Sequence, residues 1–408
     1  MWAFIRGNPR FVKFWVGMWF SEFGDWVRNM ALIYLVMDLS GGSAIAVSIN
    51  MFCEFAPLVI FGLFIGVLAD RWEHKKTMLS AVFIRILLIG LLIAAVALQS
   101  LTVVYAVAFL SAIGTVLFRA PSSAFTMRIV KKEDLRMAVN LRQMSYSTMF
   151  LIGPPLGTLL YMGIGTAWTL FLILVLFTIN FAFIASVTLD KMEKKASSAK
   201  GFGGVMAEMN DGFRQAWMNR MVRPLLFSNA LFGLSAGLSN VLSIFILTEF
   251  LDQPKETYSL FVATQGVGML VASFVIPKVK LSRPALLTGG MIVMGLCSMG
   301  MMSYPHYLVT YSFVVLFAFG MVAFNISMAT LLQTTVDMSY QGRVTTTLQT
   351  VGTGTMALMM LSAGWLHELL PLQAIILTAG SAMLLGGMLL QMMYSRVKTE
   401  AQEKPLPL

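Results

Sequence analysis

Apolar residues run along this chain in nearly unbroken stretches, each about 20 residues long and so long enough to cross a bilayer as a helix, with short polar breaks between them. The stretches are continuous rather than alternating apolar with polar, which predicts helices and not the strands of a membrane barrel. Twelve spans are expected: 11–37, 44–69, 77–98, 101–126, 137–162, 167–189, 222–250, 258–277, 284–303, 307–333, 344–366 and 372–394. The opening segment "MWAFIRGNPRFVKF" leads directly into a span too long for a signal-peptide core, so the first span is expected to stay in place.

Composition fits that pattern. The 408 residues are 58% hydrophobic and 12% charged, whereas soluble domains carry about 25% charged residues. A sizeable soluble domain is excluded. Basic residues cluster in alternate loops: Arg6, Arg10 and Lys13 before the first span, Arg71, Lys75 and Lys76 after the second, Arg128, Lys131, Lys132 and Arg136 after the fourth, and seven Lys/Arg from Lys191 to Arg223 after the sixth. The positive-inside rule then predicts a multi-pass protein of the cell membrane with both termini cytoplasmic. The net charge of +10 is a topology signal, and no nucleic-acid partner is expected.

Cys53 and Cys297 both fall inside spans, without metal-ligand spacing or a disulfide pattern. The three histidines, His74, His306 and His367, lie in loops or at span ends with no nucleophile or base at useful spacing, so neither an enzyme nor a cofactor or metal site is expected.

Offsetting the chain against itself by 207 residues pairs Phe20 with Phe227, Ser21 with Ser228, Arg71 with Lys278, Lys76 with Arg283, Arg136 with Arg343, Leu141 with Leu348 and Gly157 with Gly364. This predicts an all-α polytopic membrane protein of two pseudo-symmetric six-helix halves. Parallel repeats of this kind hold substrate near the midplane and expose it alternately to each side. The expected divisions are an N-terminal bundle over 1–189, a cytoplasmic linker over 190–221, a C-terminal bundle over 222–395 and a cytoplasmic tail over 396–408. Within the linker, Val205, Met206, Met209, Phe213, Trp217 and Met221 fall on one helical face, as in a helix lying on the lipid surface.

The loop after the second span reads "GVLADRWEHKK", Gly66 to Lys76. Asp70 ends a helix running inward, where the macrodipole disfavours a carboxylate; it should find a cation or another helix's N-terminus, and the eleventh span begins on the same side near Arg343. This segment resembles the major facilitator superfamily signature G-x-L-A-D-R-x-G-R-K, with Glu73 in place of the second glycine. The resemblance implies the major facilitator fold and a cytoplasmic gate in which Asp70 and Arg71 latch the halves, with Gly66, Lys75, Lys76 and Arg343 around them. The second-half counterpart of Asp70 is Pro277, so the latch reads as one-sided.

"FRAPSSA" in the fourth span places Arg119 about nine residues, or ~13 Å, from the cytoplasmic end, and resembles the fourth-span arginine motif of drug–proton antiporters. "GPPLGT", Gly153 to Thr158, resembles the fifth-span antiporter motif: Pro154 and Pro155 remove donors and kink the helix, while Gly153 and Gly157 allow close packing. The whole chain thus resembles a major facilitator transporter, closest in flavour to the macrolide-efflux-like branch of the drug–proton antiporters.

Seven ionisable residues lie deep in spans: Glu22, Asp25, Arg28, Glu54, Arg85, Arg119 and Arg142. All are in the first half, and their second-half counterparts are Asn229, Phe232, Ser235, Phe261, Ile292, Ile326 and Gln349. A charge at the helix centre costs at least ~2.5–3.5 kcal/mol, so such groups signal function. Glu22, Asp25 and Arg28 share one stripe of the first span, expected to face the central cavity, and Glu54 sits at similar depth. Hydration and pairing of these carboxyls would change with alternating access, so Asp25, Glu22, Arg28, Glu54 and Arg119 are the candidates for proton coupling, against a purely structural ion-pair cluster. Arg85 and Arg142, nearer the cytoplasmic end, are expected to snorkel.

Trp26, Phe261, Phe324 and Asn325 are candidates to line a cavity for a lipophilic or cationic cargo. The expected activity is proton-driven export of amphipathic small molecules by a monomer in contact with membrane lipid. Export of an endogenous siderophore, peptide antibiotic or lipid, and proton-coupled uptake, are the alternatives.

Overall fold

The computed structural model describes residues 2–69, 72–188, 213–214, 217–219, 222–336 and 338–403. A short helix, α1 (Trp2–Gly7), precedes α2 (Pro9–Ser40), α3 (Ala44–Ala69), α4 (His74–Ala97) and α5 (Leu101–Ile129). The next helical run, Leu135–Ser186, is broken at Gly165 (φ 76, ψ 170) into α6, over 135–164, and α7, over 166–186. The second set is α8 (Arg223–Phe245), α9 (Tyr258–Val275), α10 (Arg283–Gly300), α11 (Tyr307–Thr335), α12 (Met338–Leu369) and α13 (Leu372–Glu403). Among the described residues, then, twelve long helices match the twelve expected spans. α13 continues helically to Glu403, past the point where a tail was expected.

Chain reversals occur where the sequence permits them. Gly41 and Gly42, with φ of 65° and 85°, end α2 in the left-handed region that residues with a Cβ avoid. Pro57, Pro121, Pro154 and Pro155 sit inside helices, as membrane helices tolerate. Among the described residues, eight segments are long and apolar enough to cross a membrane by length and composition alone, with 135–186 counting once. The charged α2 is not among them.

The chain forms two compact units, Met1–Val205 and Met206–Leu408, and their helices pair equivalently. In the first unit α2 packs on α6, α3 on α5, and α4 on α5; in the second α8 packs on α12, α9 on α11, and α10 on α11. The amphipathic stretch expected over 205–221 lies mostly outside the described residues. Phe213 and Trp217 are described, stacked at 5.9 Å, with the Arg223 guanidinium 4.6 Å above the Trp217 ring.

Small residues bring the pairs close. A Cβ at Gly157 of α6 would stand 3.1 Å from Val27 Cα and 3.3 Å from Met30 Cγ of α2, and one at Gly153 would stand 2.8 Å from Trp26 Cβ. In the second unit the glycines sit on the other member of the pair: Gly233 and Gly237 of α8 face Gly352 and Met356 of α12. With no hydrophobic force between helices in lipid, such close packing is a main source of helix association.

Candidate functional site

The helix α2 carries Ser21 and Asp25 one turn apart, and both are engaged by Arg85 of α4. Arg85 has no exposed surface. Its Nη1 donates to Ser21 Oγ at 3.0 Å, its Nη2 donates to Asp25 Oδ1, and its guanidinium lies 4.0 Å from the centroid of the Phe177 ring on α7. The stem lies on Gly114 of α5, where a Cβ would come within 2.8 Å of Arg85 Cγ. Three neighbouring helices, α2, α5 and α7, therefore hold this one side chain of α4. The expected snorkelling is overturned: α4 starts at His74, so Arg85 is eleven residues in, or about 16 Å along the axis, too deep to reach the surface and well supplied with partners inside.

Arg28, 5% exposed, approaches the same Asp25 oxygen at 3.1 Å. That contact is an ion pair without hydrogen-bond alignment: Nε and Nη1 of Arg28 have no hydrogen-bond partner, and Nη2 donates to Asn29 Oδ1 at 3.0 Å. The stripe expected to face a cavity thus turns Asp25 and Arg28 toward the interior of their own bundle.

Glu54 of α3 has Arg28 and Asp25 as charged neighbours, and its Oε1 is buried with no hydrogen-bond partner. Glu22 has Arg119 of α5, Asp25 and Arg142 of α6 as charged neighbours; its Oε2 is likewise buried and unpartnered. A buried polar atom left unpaired costs roughly 1–3 kcal/mol, and more when charged, so an ionised carboxyl at either position carries that cost. Arg119 is exposed. Arg142 also departs from the expected snorkelling: it turns onto α5, donating to Thr126 Oγ1 and Ser122 Oγ, both at 3.0 Å.

The segment Gly153–Pro154–Pro155–Gly157 packs beside this cluster, against Trp26, Val27 and Met30 of α2, and Trp26 meets the Phe150 ring edge-on at 5.4 Å. At the position equivalent to Glu22, Asn229 donates across to Leu348 O of α12 at 2.5 Å. The second unit thus replaces a charge with a neutral helix-to-helix hydrogen bond. Two expected cavity aromatics are packing residues: Phe324, 1% exposed, stacks on Phe232 at 4.9 Å, and Phe261, 7% exposed, meets Tyr311 at 6.2 Å. Asn325 is exposed and donates to Met321 O at 3.0 Å.

Of the expected gate, Asp70 and Arg71 lie outside the described residues. Gly66 falls in the last turns of α3 and Arg343 near the start of α12. Lys75 donates to Ala185 O at 2.7 Å and Val187 O at 2.8 Å, closing the C-terminal end of α7, where a cation meets the helix dipole. Lys76 pairs with Glu73 at 2.7 Å, so the residue that replaces the signature glycine is bound to the basic tail of its own loop. Ser21, Phe177 and Gly114 escaped sequence reasoning. The one local signal was the spacing of Ser21 and Asp25, four residues apart on a helix.

Among the described residues, twelve long helices in two equivalent sets of six, with ionisable side chains held deep inside one set, form a polytopic membrane protein. Residues 1–406 match the major facilitator family described as transmembrane secretion effectors, and the chain belongs to that family. It is 25% identical over 279 residues to the uncharacterized MFS-type transporter YkuC of Bacillus subtilis (strain 168), covering 66% of this chain and 65%, just under two thirds, of that relative. It is 26% identical over 297 residues to macrolide efflux protein A of Streptococcus pyogenes, covering 70% of this chain and 71% of that one. The fold superimposes on a crystal structure of a point mutant of the nucleoside transporter NupG with a TM-score of 0.76, at 13% identity over 95% of this chain and 99% of that one.

Proposed function

We propose that this transporter is a proton-coupled antiporter that exports amphipathic small molecules from the cytoplasm, acting as a monomer in the cell membrane with both termini cytoplasmic. The observation that carries the reading is the pair of carboxyl groups, Glu22 and Glu54, each with a buried oxygen lacking a hydrogen-bond partner, set among buried arginines around Asp25. A carboxyl is the side chain that can pick up and release a proton as hydration and pairing change, and alternating access changes both. Arg119, exposed beside Glu22, is placed to act on its charge. The likeness to macrolide efflux protein A and the "GPPLGT" segment support export over uptake. In this account residues 1–189 and 222–395 are the two bundles, 190–221 the linker and 396–408 the tail.

Vesicles containing the purified protein, acidic inside, test this with a panel of lipophilic cations and macrolides. Antiport predicts that protons leave as compound enters, so at least one compound accumulates against its gradient and leaks back when a protonophore is added. Accumulation that survives the protonophore, or that requires acid on the side from which compound is taken, would replace antiport with another mode of transport.

A further inference from the structure

At the end of the second bundle remote from Arg223, a histidine and a carboxylate join the helix pair α8 and α12. At Phe245 α8 passes into a π turn, Ile246–Phe250, closed by Leu251 N donating to Ile246 O at 3.0 Å; turns of this kind recur at functional sites. Oε1 of Glu249, in that turn, lies 3.1 Å from Nε2 of His367, in the last turn of α12. The His367 side chain is 13% exposed and that of Glu249 49%, and Phe245 meets the imidazole edge-on at 5.0 Å. Nδ1 of His367 is buried without a hydrogen-bond partner. Both residues stand at helix C-terminal ends, where the macrodipole favours a cation and disfavours a lone carboxylate. A protonated histidine answers both.

The first bundle closes the same end of its equivalent pair, α2 and α6, with Tyr161 donating to Asp38 Oδ2 at 3.0 Å. At the 207-residue offset Tyr161 corresponds to Glu368, the neighbour of His367. A phenol keeps its proton across the physiological range and an imidazole does not. The two bundles thus carry the same kind of contact, once in a fixed form and once in a form that titrates.

We propose that His367 and Glu249 form a pH-responsive clasp at this end of the second bundle, tightened when protons are abundant on that side of the membrane and loosened when they are scarce. The orientation proposed above turns this end outward from the cell; the clasp itself does not depend on antiport. In the neutral ring Nε2 carries the hydrogen and donates to Glu249, and Nδ1 is a bare lone pair. When a proton from water bonds to Nδ1, no group leaves, and the contact becomes an ion pair that adds charge attraction to the hydrogen bond. The new Nδ1–H then takes an acceptor from the free carbonyls of the last turn of α12, as histidines near helix C-termini do. Glu249 is the charged group in contact with His367. Asp252, Lys255 and Glu256 follow in the segment after the π turn, and Glu368 is exposed on the same helix. From α11 and α13, which also touch α12, no Asp, Glu, Lys or Arg lies at this end, and His306 precedes α11.

Amide hydrogen exchange over 246–251, read by mass spectrometry on the full-length protein in vesicles of phosphatidylethanolamine and phosphatidylglycerol, reports how tightly the turn is held. Wild type and Glu249→Gln are compared at the same pH, which removes the chemical pH dependence of exchange. At about pH 5.5 the wild type is expected to exchange about fivefold more slowly than the variant, the size being limited by the half-exposed carboxylate. At about pH 8 the difference should shrink to about twofold or less, because the ion pair is lost as pH rises through the histidine range. His367→Gln keeps an amide donor for Glu249 but cannot titrate. Wild type should exchange more slowly than this variant only in acid, a comparison that also serves if Glu249→Gln does not fold. In the first bundle, the ratio of wild type to Tyr161→Phe over 35–41 should not change with pH. A difference between wild type and the variants that is the same in acid and in base overturns the proposal. So does the absence of any difference, or an equal pH-dependent change in the first bundle. Because no transported compound is present, the clasp and the antiport reading stand or fall separately.

Discussion

Arg85→Met is expected to eliminate transport and to destabilise the first bundle by roughly 3–5 kcal/mol, the cost of removing one partner from a buried ion pair. The size follows from what is stranded. Asp25 loses its only aligned hydrogen bond from a guanidinium, Ser21 Oγ loses its donor, and the Phe177 face loses the cation above it. Methionine fills much of the volume along Gly114, so the loss reports on charge rather than on a cavity. Arg85→Lys keeps the charge and one bond to Asp25 but has no planar fork with which to reach Ser21 as well. It should recover part of the stability and remain short by about 1.5–3 kcal/mol, the worth of a hydrogen bond to a charged group. Thermal unfolding of the two variants in detergent, beside the wild type, gives the ranking wild type, Lys, Met. A Met variant as stable as the wild type would mean that the pair does not hold these helices together.

Glu22→Gln is expected to leave a folded protein that still exchanges compound down its gradient and no longer concentrates it. The amide keeps the shape of the carboxyl but cannot carry a proton. Its loss does not strand a cation as the loss of Asp25 would: Arg142 retains Thr126 and Ser122 as acceptors, and Arg119 is exposed. Downhill exchange of a labelled lipophilic cation, measured in the same vesicles with and without a pH gradient, separates transport from coupling. A Glu22→Gln protein that accumulates the cation as the wild type does would remove Glu22 from the coupling machinery.

The spans and the repeat were legible because both rest on local signals. Continuous apolar runs place helices, and the offset of 207 residues brings α5 onto α11 almost residue for residue. The break at Gly165 was also readable, since two spans had to be separated within one helical stretch. The partners of the buried charges were not. Arg85 and Asp25 are 60 residues apart and Arg85 and Phe177 are 92 apart, and nothing in an apolar helix says which neighbour a given face will meet. The depth of Arg85 was misjudged because hydropathy starts its span at 77, whereas the helix starts at His74; three residues move a side chain by about 4.5 Å. Phe261 and Phe324 show the same limit from the other side. Aromatic residues inside spans were credited to a cavity, yet both faces of a helix in a bundle are apolar, and these two point into the second unit's own packing.

The claim that the half-buried carboxyls of the first unit exchange protons for compound is tested most directly by proton release on binding. Compound that accumulates in acid-interior vesicles is added to purified protein in weakly buffered detergent solution, and the pH is followed. Binding should release protons from the wild type, whereas the Glu22→Gln/Glu54→Gln double variant, shown by tryptophan fluorescence to bind the same compound, should release none. Binding without proton release by the wild type, or undiminished release by the double variant, would contradict the account.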